Sequence, residues 1–176
     1  AHGFGAIGDK GKGLPELQQI DHHQIDCYMA TCGKAMGVAG AFIAGSNDII
    51  DALIQFSRTY TYTTSMPAAQ AVALSMSVKL IQEEAWRREH LNDLITYFKQ
   101  CAQQLDLQLM PSDTAIQPIL IGDNEKAVNI ANRLYDKGIL VTAIRPPTVP
   151  MNASRMRITL SASHCKQDID RLMACL

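Results

Sequence analysis

Thr31-Cys32-Gly33-Lys34-Ala35-Met36-Gly37 sets one lysine between two glycines, after an apolar-biased run from Ile25 to Ala30 and before another from Val38 to Ala44. That layout predicts a tight turn joining two buried strands, with Lys34 at the edge of a sheet rather than on a helix face. Glycine flanks let a backbone approach a ligand closely and take conformations closed to other residues. A lysine stripped of part of its hydration there is pushed toward the neutral amine, which attacks carbonyl compounds. The chemistry is that of a Schiff base. The plainer alternative is a lysine in a solvated loop.

Working outward, Leu14 to His23 reads as a short helix or irregular connection. Ser46-Asn47-Asp48 predicts a capped helix to about Ser57, with Ile49, Ile50, Leu53 and Ile54 on its apolar face. Arg58 to Met66, rich in Thr and Tyr, predicts extended chain, and Pro67 suits a first helical turn. A long helical pattern, bent or straight, then runs to about Leu105. Beyond Pro111 come a strand (Ile116 to Ile121), a helix (Glu125 to Lys137) closed by Gly138, a strand (Ile139 to Ile144), a rigid loop (Arg145 to Pro150), a strand (Arg155 to Leu160) and a last helix (Lys166 to Cys175). The expected organisation is three parts, 1–66, 67–110 and 111–176, an α/β segment joined by helix to a small α+β unit.

Composition narrows the function classes. With 47% hydrophobic residues and a formal charge of -1, the chain has no signature of disorder, of a nucleic-acid surface or of a basic membrane patch. No apolar run is long enough to span a bilayer. The 5 cysteines are scattered and odd in number, which fits reduced thiols in a cytoplasmic protein better than a disulfide framework. Opening directly on Ala1-His2-Gly3, with no methionine and no polar lead-in, the chain reads as the C-terminal part of a longer protein.

Several motifs have competing readings. Gly3-Phe4-Gly5-Ala6-Ile7-Gly8 fits the dinucleotide fingerprint by letter, yet Asp9-Lys10-Gly11-Lys12-Gly13 would break the helix that fingerprint needs. A ligand-covering loop is the better reading. Cys27, Cys32, His22 and His23 match no standard zinc spacing, so no metal site is expected. His164 reads as an ordinary residue before the last helix, and Trp86, Arg87 and Arg88 as a helix face. Arg155 and Arg157, two apart on one strand, share a face suited to a carboxylate. Of the two, Arg155 is expected to be the solvated one and Arg157 the less exposed.

Four separated stretches occur together in one order: Ala1-His2-Gly3-Phe4-Gly5 with its later glycines, Thr31 to Gly37, Tyr62-Thr63-Thr64-Ser65-Met66-Pro67, and Arg145-Pro146-Pro147-Thr148-Val149-Pro150 with Arg155-Met156-Arg157. Over essentially the whole chain they resemble the α-oxoamine synthases, fold-type I pyridoxal-phosphate enzymes. The resemblance implies an α/β fold, made of the C-terminal part of the large domain (1–66), a connecting helical region (67–110) and the small C-terminal domain (111–176). Ile144 to Pro150 and Ser65-Met66-Pro67-Ala68-Ala69-Gln70 look most like the biotin-synthesis branch. That branch condenses L-alanine with a pimeloyl thioester, carried by coenzyme A or by a carrier protein, with loss of carbon dioxide.

By the same resemblance Lys34 carries pyridoxal phosphate and then serves as the base at the amino acid's Cα. His2 contacts the cofactor's phenolic oxygen and Thr31 lies near its phosphate. Thr64 reaches a phosphate across the interface of a homodimer. Arg157 takes the substrate carboxylate, Thr148 touches substrate, and Cys32 has no catalytic role. The family's aspartate for the pyridine nitrogen, its ring-stacking aromatic residue and its upstream phosphate-binding turn would all precede Ala1. These 176 residues alone are therefore expected to be catalytically incompetent. Open alternatives are a glycine-using sister of the aminoketobutyrate- or aminolevulinate-forming type, and a non-catalytic folding or dimer-interface unit.

Overall fold

The computed structural model describes residues 1–176 and divides into two units, Ala1–Arg88 and Glu89–Leu176. In the first, turns rather than a strand or helix shape residues 3–13, with Gly5, Gly8, Gly11 and Gly13 all at positive φ. Backbone bonds close this loop on itself, Gly5 N–H to Gly11 O at 2.7 Å and Gly13 N–H to Ile7 O at 2.9 Å. The fingerprint letters thus lie in no strand-turn-helix unit.

After a short helix α1 (Leu14–Leu17) and a single 3-10 turn (His22–Gln24), β1 (Cys27–Thr31) pairs antiparallel with β2 (Ala41–Gly45). Alternation puts Tyr28, Ala30 and Phe42 on one face. The Phe4 ring meets them there, 5.2 Å from Phe42 and 6.3 Å from Tyr28 between centroids. Only Ala30 among the strand residues is buried, which corrects the expectation of two buried strands. A two-stranded ribbon with one face toward the glycine loop leaves Met29 and Ile43 on its other, exposed face.

Ser46 caps α2 (Asn47–Phe56) as its sequence predicts, its hydroxyl accepting from Ile49 N–H at 3.4 Å. The stretch expected to be extended instead begins with α3 (Arg58–Thr61). Threonine hydroxyls turn back onto carbonyls one helical turn earlier, Thr61 to Ser57 O at 3.0 Å and Thr63 to Thr59 O, satisfying their own polar groups where the chain turns helically despite its β propensity. Pro67 is the N-cap, one position ahead of α4 (Ala68–Glu83).

The single long helix expected over this region is two, α4 and α5 (Trp86–Gln104). Ile81 O, which a continuous helix would give to the amide of Ala85, accepts from the Arg88 guanidinium at 2.7 Å instead.

The second unit is built from β3 (Ile116–Gly122), α6 (Asn124–Asp136), β4 (Thr142–Ile144), β5 (Ser154–Thr159) and α7 (Lys166–Met173), with most of α5. Its sheet has the order β3-β5-β4, all antiparallel, with Ile119 opposite Met156 and Thr142 opposite Arg157. Strict alternation buries Ser154, Met156 and Ile158 and turns Arg155, Arg157 and Thr159 to the other face. Leu94, Phe98, Leu134, Ile169 and Leu172 from the three helices complete the core with Ile119. Asp123 caps α6 through Lys126 N–H at 2.7 Å, and Gly138 at φ 74 ends it. The strand expected from Ile139 shrinks to β4, since Leu140 is 84% exposed and pairs with nothing.

Candidate active site

Lys34 lies in the loop Cys32–Gly40 between β1 and β2, as its glycine flanks predict. Three backbone bonds hold that loop: Cys32 N–H to Gly40 O at 2.8 Å, Val38 N–H to Cys32 O at 3.0 Å and Gly37 N–H to Lys34 O at 2.9 Å. Buried Cys32 and Met36 anchor it from below while Lys34 stays exposed. The desolvation expected of Lys34 is therefore not supplied by this unit. Its Nζ donates to Thr31 Oγ1 at 3.4 Å, so two of the predicted site residues meet. A Cβ at Gly33 or Gly37 would meet nothing within 4 Å, so the loop is open at both glycines. At Gly37 the backbone itself requires glycine, with φ at 65°.

Helix α4 backs this loop. Ser77 Oγ donates to Met36 O at 2.7 Å and Gln70 Nε2 to Ala39 O. The same helix reaches the glycine loop, where a Cβ on Gly11 would come 2.8 Å from Ile81. His2, exposed, leads into that loop. Sequence reasoning missed these supports. A serine within an otherwise apolar helical run was the available signal for Ser77. Arg88, expected on a helix face, is buried.

The glycine loop also wraps a carboxylate. Glu16 accepts from Lys10 N–H at 2.9 Å and from Lys12 N–H at 3.0 Å. Partial burial raises its pKa, but the backbone N–H groups of Lys12 and Lys10 and their ammonium charges outweigh this, and the net shift is downward. A depressed carboxyl stabilises the loop above its unfolded value and loses that contribution as pH falls through the lowered one. The amide resonances of Lys10 and Lys12 are thus expected to move together on acidification below the ordinary glutamate range. Glu16→Gln should abolish that titration, as a pH series of amide spectra would show.

Thr64 is exposed in the irregular segment between α3 and α4. In the second unit, Arg157 is exposed on β5 and Thr148 exposed in the loop after β4, its N–H bonded to Arg145 O at 3.1 Å. Arg155 is the half-buried arginine, tied to Ala153 O at 3.1 Å, which reverses the expected order of exposure. Its side chain folds back along its own strand and leaves Arg157 as the free-standing guanidinium of the pair.

The remaining candidates have structural roles. Asp21 caps the 3-10 turn through His23 N–H at 2.9 Å, with both histidines exposed beside it. His164 Nδ1 accepts from Ser161 N–H at 3.1 Å within a turn. All five cysteines are free. A cavity of about 590 Å³ beside the hairpin is lined by Phe4, Tyr28 and Phe42 among others, but not by Lys34.

A primary amine with a hydroxyl within its reach, on a loop with open space at its glycines, is a donor set suited to an aldehyde that bears a phosphate. Pyridoxal phosphate is such a molecule, and these residues fit it.

A family model described as aminotransferase class I and II matches residues 1–176. The chain is 51% identical over 176 residues to 8-amino-7-oxononanoate synthase of Pseudomonas fluorescens, a match covering all of this chain and 45% of that protein. It is 49% identical to the enzyme of the same name from Hahella chejuensis, of which it covers 44%. The chain therefore spans less than half the length of the curated relatives it matches. Among solved structures, 8-amino-7-oxononanoate synthase of Francisella tularensis superposes with a TM-score of 0.89 at 27% identity, over 99% of this chain and 51% of that one. No helix is long and apolar enough to cross a membrane.

Proposed function

Because the chain belongs to the aminotransferase class I and II family, with the α/β fold of the fold-type I pyridoxal-phosphate enzymes, we propose that its parent protein condenses L-alanine with a pimeloyl thioester. Release of the carrier thiol and loss of carbon dioxide then give 8-amino-7-oxononanoate for biotin synthesis. The observation that carries this is the Lys34 turn, with its exposed amine beside Thr31 Oγ1 and open space at both glycines. Relatives at 51% and 49% identity that bear this enzyme's name favour alanine over glycine or serine as the amino acid.

The family's cofactor is pyridoxal phosphate, an electron sink that makes the Cα proton of a bound amino acid acidic. Lys34 Nζ would hold it, Thr31 would lie by its phosphate and His2 by its ring oxygen. Thr64 would reach a phosphate of the second copy in a homodimer. The Lys34 amine would take the proton from Cα of alanine and later return one to the product carbon. The hydrogen bond to Thr31 Oγ1 orients the amine for that transfer. Arg157 offers its exposed guanidinium to the carboxylate of alanine, and Thr148 its hydroxyl to substrate. Residues 1–66 belong to the cofactor-binding domain, 67–110 to the connecting helical region and 111–176 to the small domain. The acyl carrier is coenzyme A or a carrier protein, and the reaction is cytoplasmic. The 176-residue chain by itself is expected to show no turnover.

The test uses the complete enzyme loaded with pyridoxal phosphate, titrated separately with alanine, glycine and serine while cofactor absorbance is followed. A saturable change with alanine, and turnover once pimeloyl thioester is added, is the expected result. A response to glycine alone would assign the protein to a sister reaction instead.

A further inference from the structure

Arg88 is only 7% exposed and forms no ion pair with a carboxylate. Its Nη1 donates to Ile81 O at 2.7 Å and its Nη2 to Asp9 O at 2.6 Å, while Nε is buried with no acceptor. A buried cation normally needs a carboxylate, and a buried donor without a partner is costly. Here the charge is met by carbonyl dipoles alone, one of them in the last turn of α4, where the helix end is partially negative. Contact between the glycine loop and α4 does not require this arrangement. Ile81 already touches the loop, since a Cβ on Gly5 or Gly11 would lie 3.1 Å or 2.8 Å from it. What the guanidinium adds is direction, because its planar fork fixes two carbonyls at set angles.

The consequence reaches the candidate site. Helix α4 holds the Lys34 turn through Ser77 and Gln70, and Arg88 ties the loop that follows His2 to the end of the same helix. The loop also lies directly against the Lys34 turn, where a Cβ on Gly5 would come 2.9 Å from Cβ of Ala35. We propose that Arg88 is a positioning residue: by gripping Asp9 O and Ile81 O it sets the glycine loop, and with it His2, in register with the Lys34 turn. The inference rests on the functional reading above, in which His2 and Lys34 serve one cofactor.

The test compares wild-type complete enzyme, loaded with pyridoxal phosphate, with Arg88→Lys and Arg88→Met. Amide exchange across residues 3–13, the pH titration of cofactor absorbance, and kcat and KM for alanine are read on each. For Arg88→Met, loop exchange should quicken about tenfold or more while exchange in residues 89–176 stays unchanged. The absorbance titration should shift its midpoint, and kcat should fall about 10- to 100-fold with KM within about threefold. Arg88→Lys, with a cation but no fork, should fall between. Wild-type loop exchange and an unmoved titration in Arg88→Met would overturn the proposal, even if the variant melts at lower temperature. Should Arg88→Met fail to fold, wild-type behaviour of Arg88→Lys in both readouts would overturn it equally. A wild-type enzyme with no cofactor absorbance would instead sink the functional reading, and loop exchange would still decide whether Arg88 sets the loop.

Discussion

Lys34→Ala in the complete enzyme is expected to abolish condensation while leaving the fold intact. Loss of the general base alone removes about 10²- to 10⁴-fold of rate. Loss of the amine that holds the cofactor removes more, and Thr31 Oγ1 at 3.4 Å, an unactivated hydroxyl, is no replacement for it. Lys34→Arg should be as inactive, since a guanidinium stays charged at any working pH and can neither take the proton nor hold an aldehyde. Stability should hardly change. The Lys34 side chain is exposed, and the loop is fixed by the backbone groups of Cys32, Lys34, Gly37, Val38 and Gly40, which an alanine preserves. Thermal melting within error of wild type, alongside turnover near background, is the expected pair of results. Substantial turnover from a folded Lys34→Ala enzyme would refute the assignment of Lys34.

What the sequence revealed and what it hid divide along physical lines. Features fixed by local chemistry were legible: the Lys34 turn from its glycines, the α2 start from Ser46, and the end of α6 from Gly138. Features set by tertiary partners were not. Arg88 follows Trp86 and Arg87 on an apparently solvated helix face, and only the approach of Asp9 from 79 residues away shows why it is buried. The break between α4 and α5 has the same origin, because the Arg88 side chain takes the carbonyl that would have continued the helix. In Arg58 to Met66 helical turns form despite the β propensity of Thr and Tyr, a tertiary choice that composition cannot weigh. The two arginines of β5 could be placed on one face by period, but which stood exposed depended on Arg155 finding the carbonyl of Ala153.

Phe98→Ala should be the most damaging single change in the second unit. Phe98 is fully buried on α5, within the cluster that includes Ile119 and Met156 from the sheet and Ile169 and Leu172 from α7. Truncating a fully buried phenylalanine costs roughly 3–5 kcal/mol, from lost transfer energy together with the cavity left behind. Against a typical domain stability of about 5–15 kcal/mol, that is roughly a fifth or more of the total. Urea denaturation followed by far-UV circular dichroism should show the transition for residues 89–176 moving to lower denaturant at unchanged slope. Tyr135→Ala, at a position 68% exposed on α6, is the control and should stay within about 0.5 kcal/mol of wild type. If both variants behaved alike, the core assigned to α5 and the sheet would be wrong. Since Arg157 and Thr148 ride on this sheet and its following loop, Phe98→Ala should cost activity only through the unfolded fraction. Activity per folded molecule, measured at low temperature, should therefore remain near wild type, separating this residue from the chemistry that Lys34 performs.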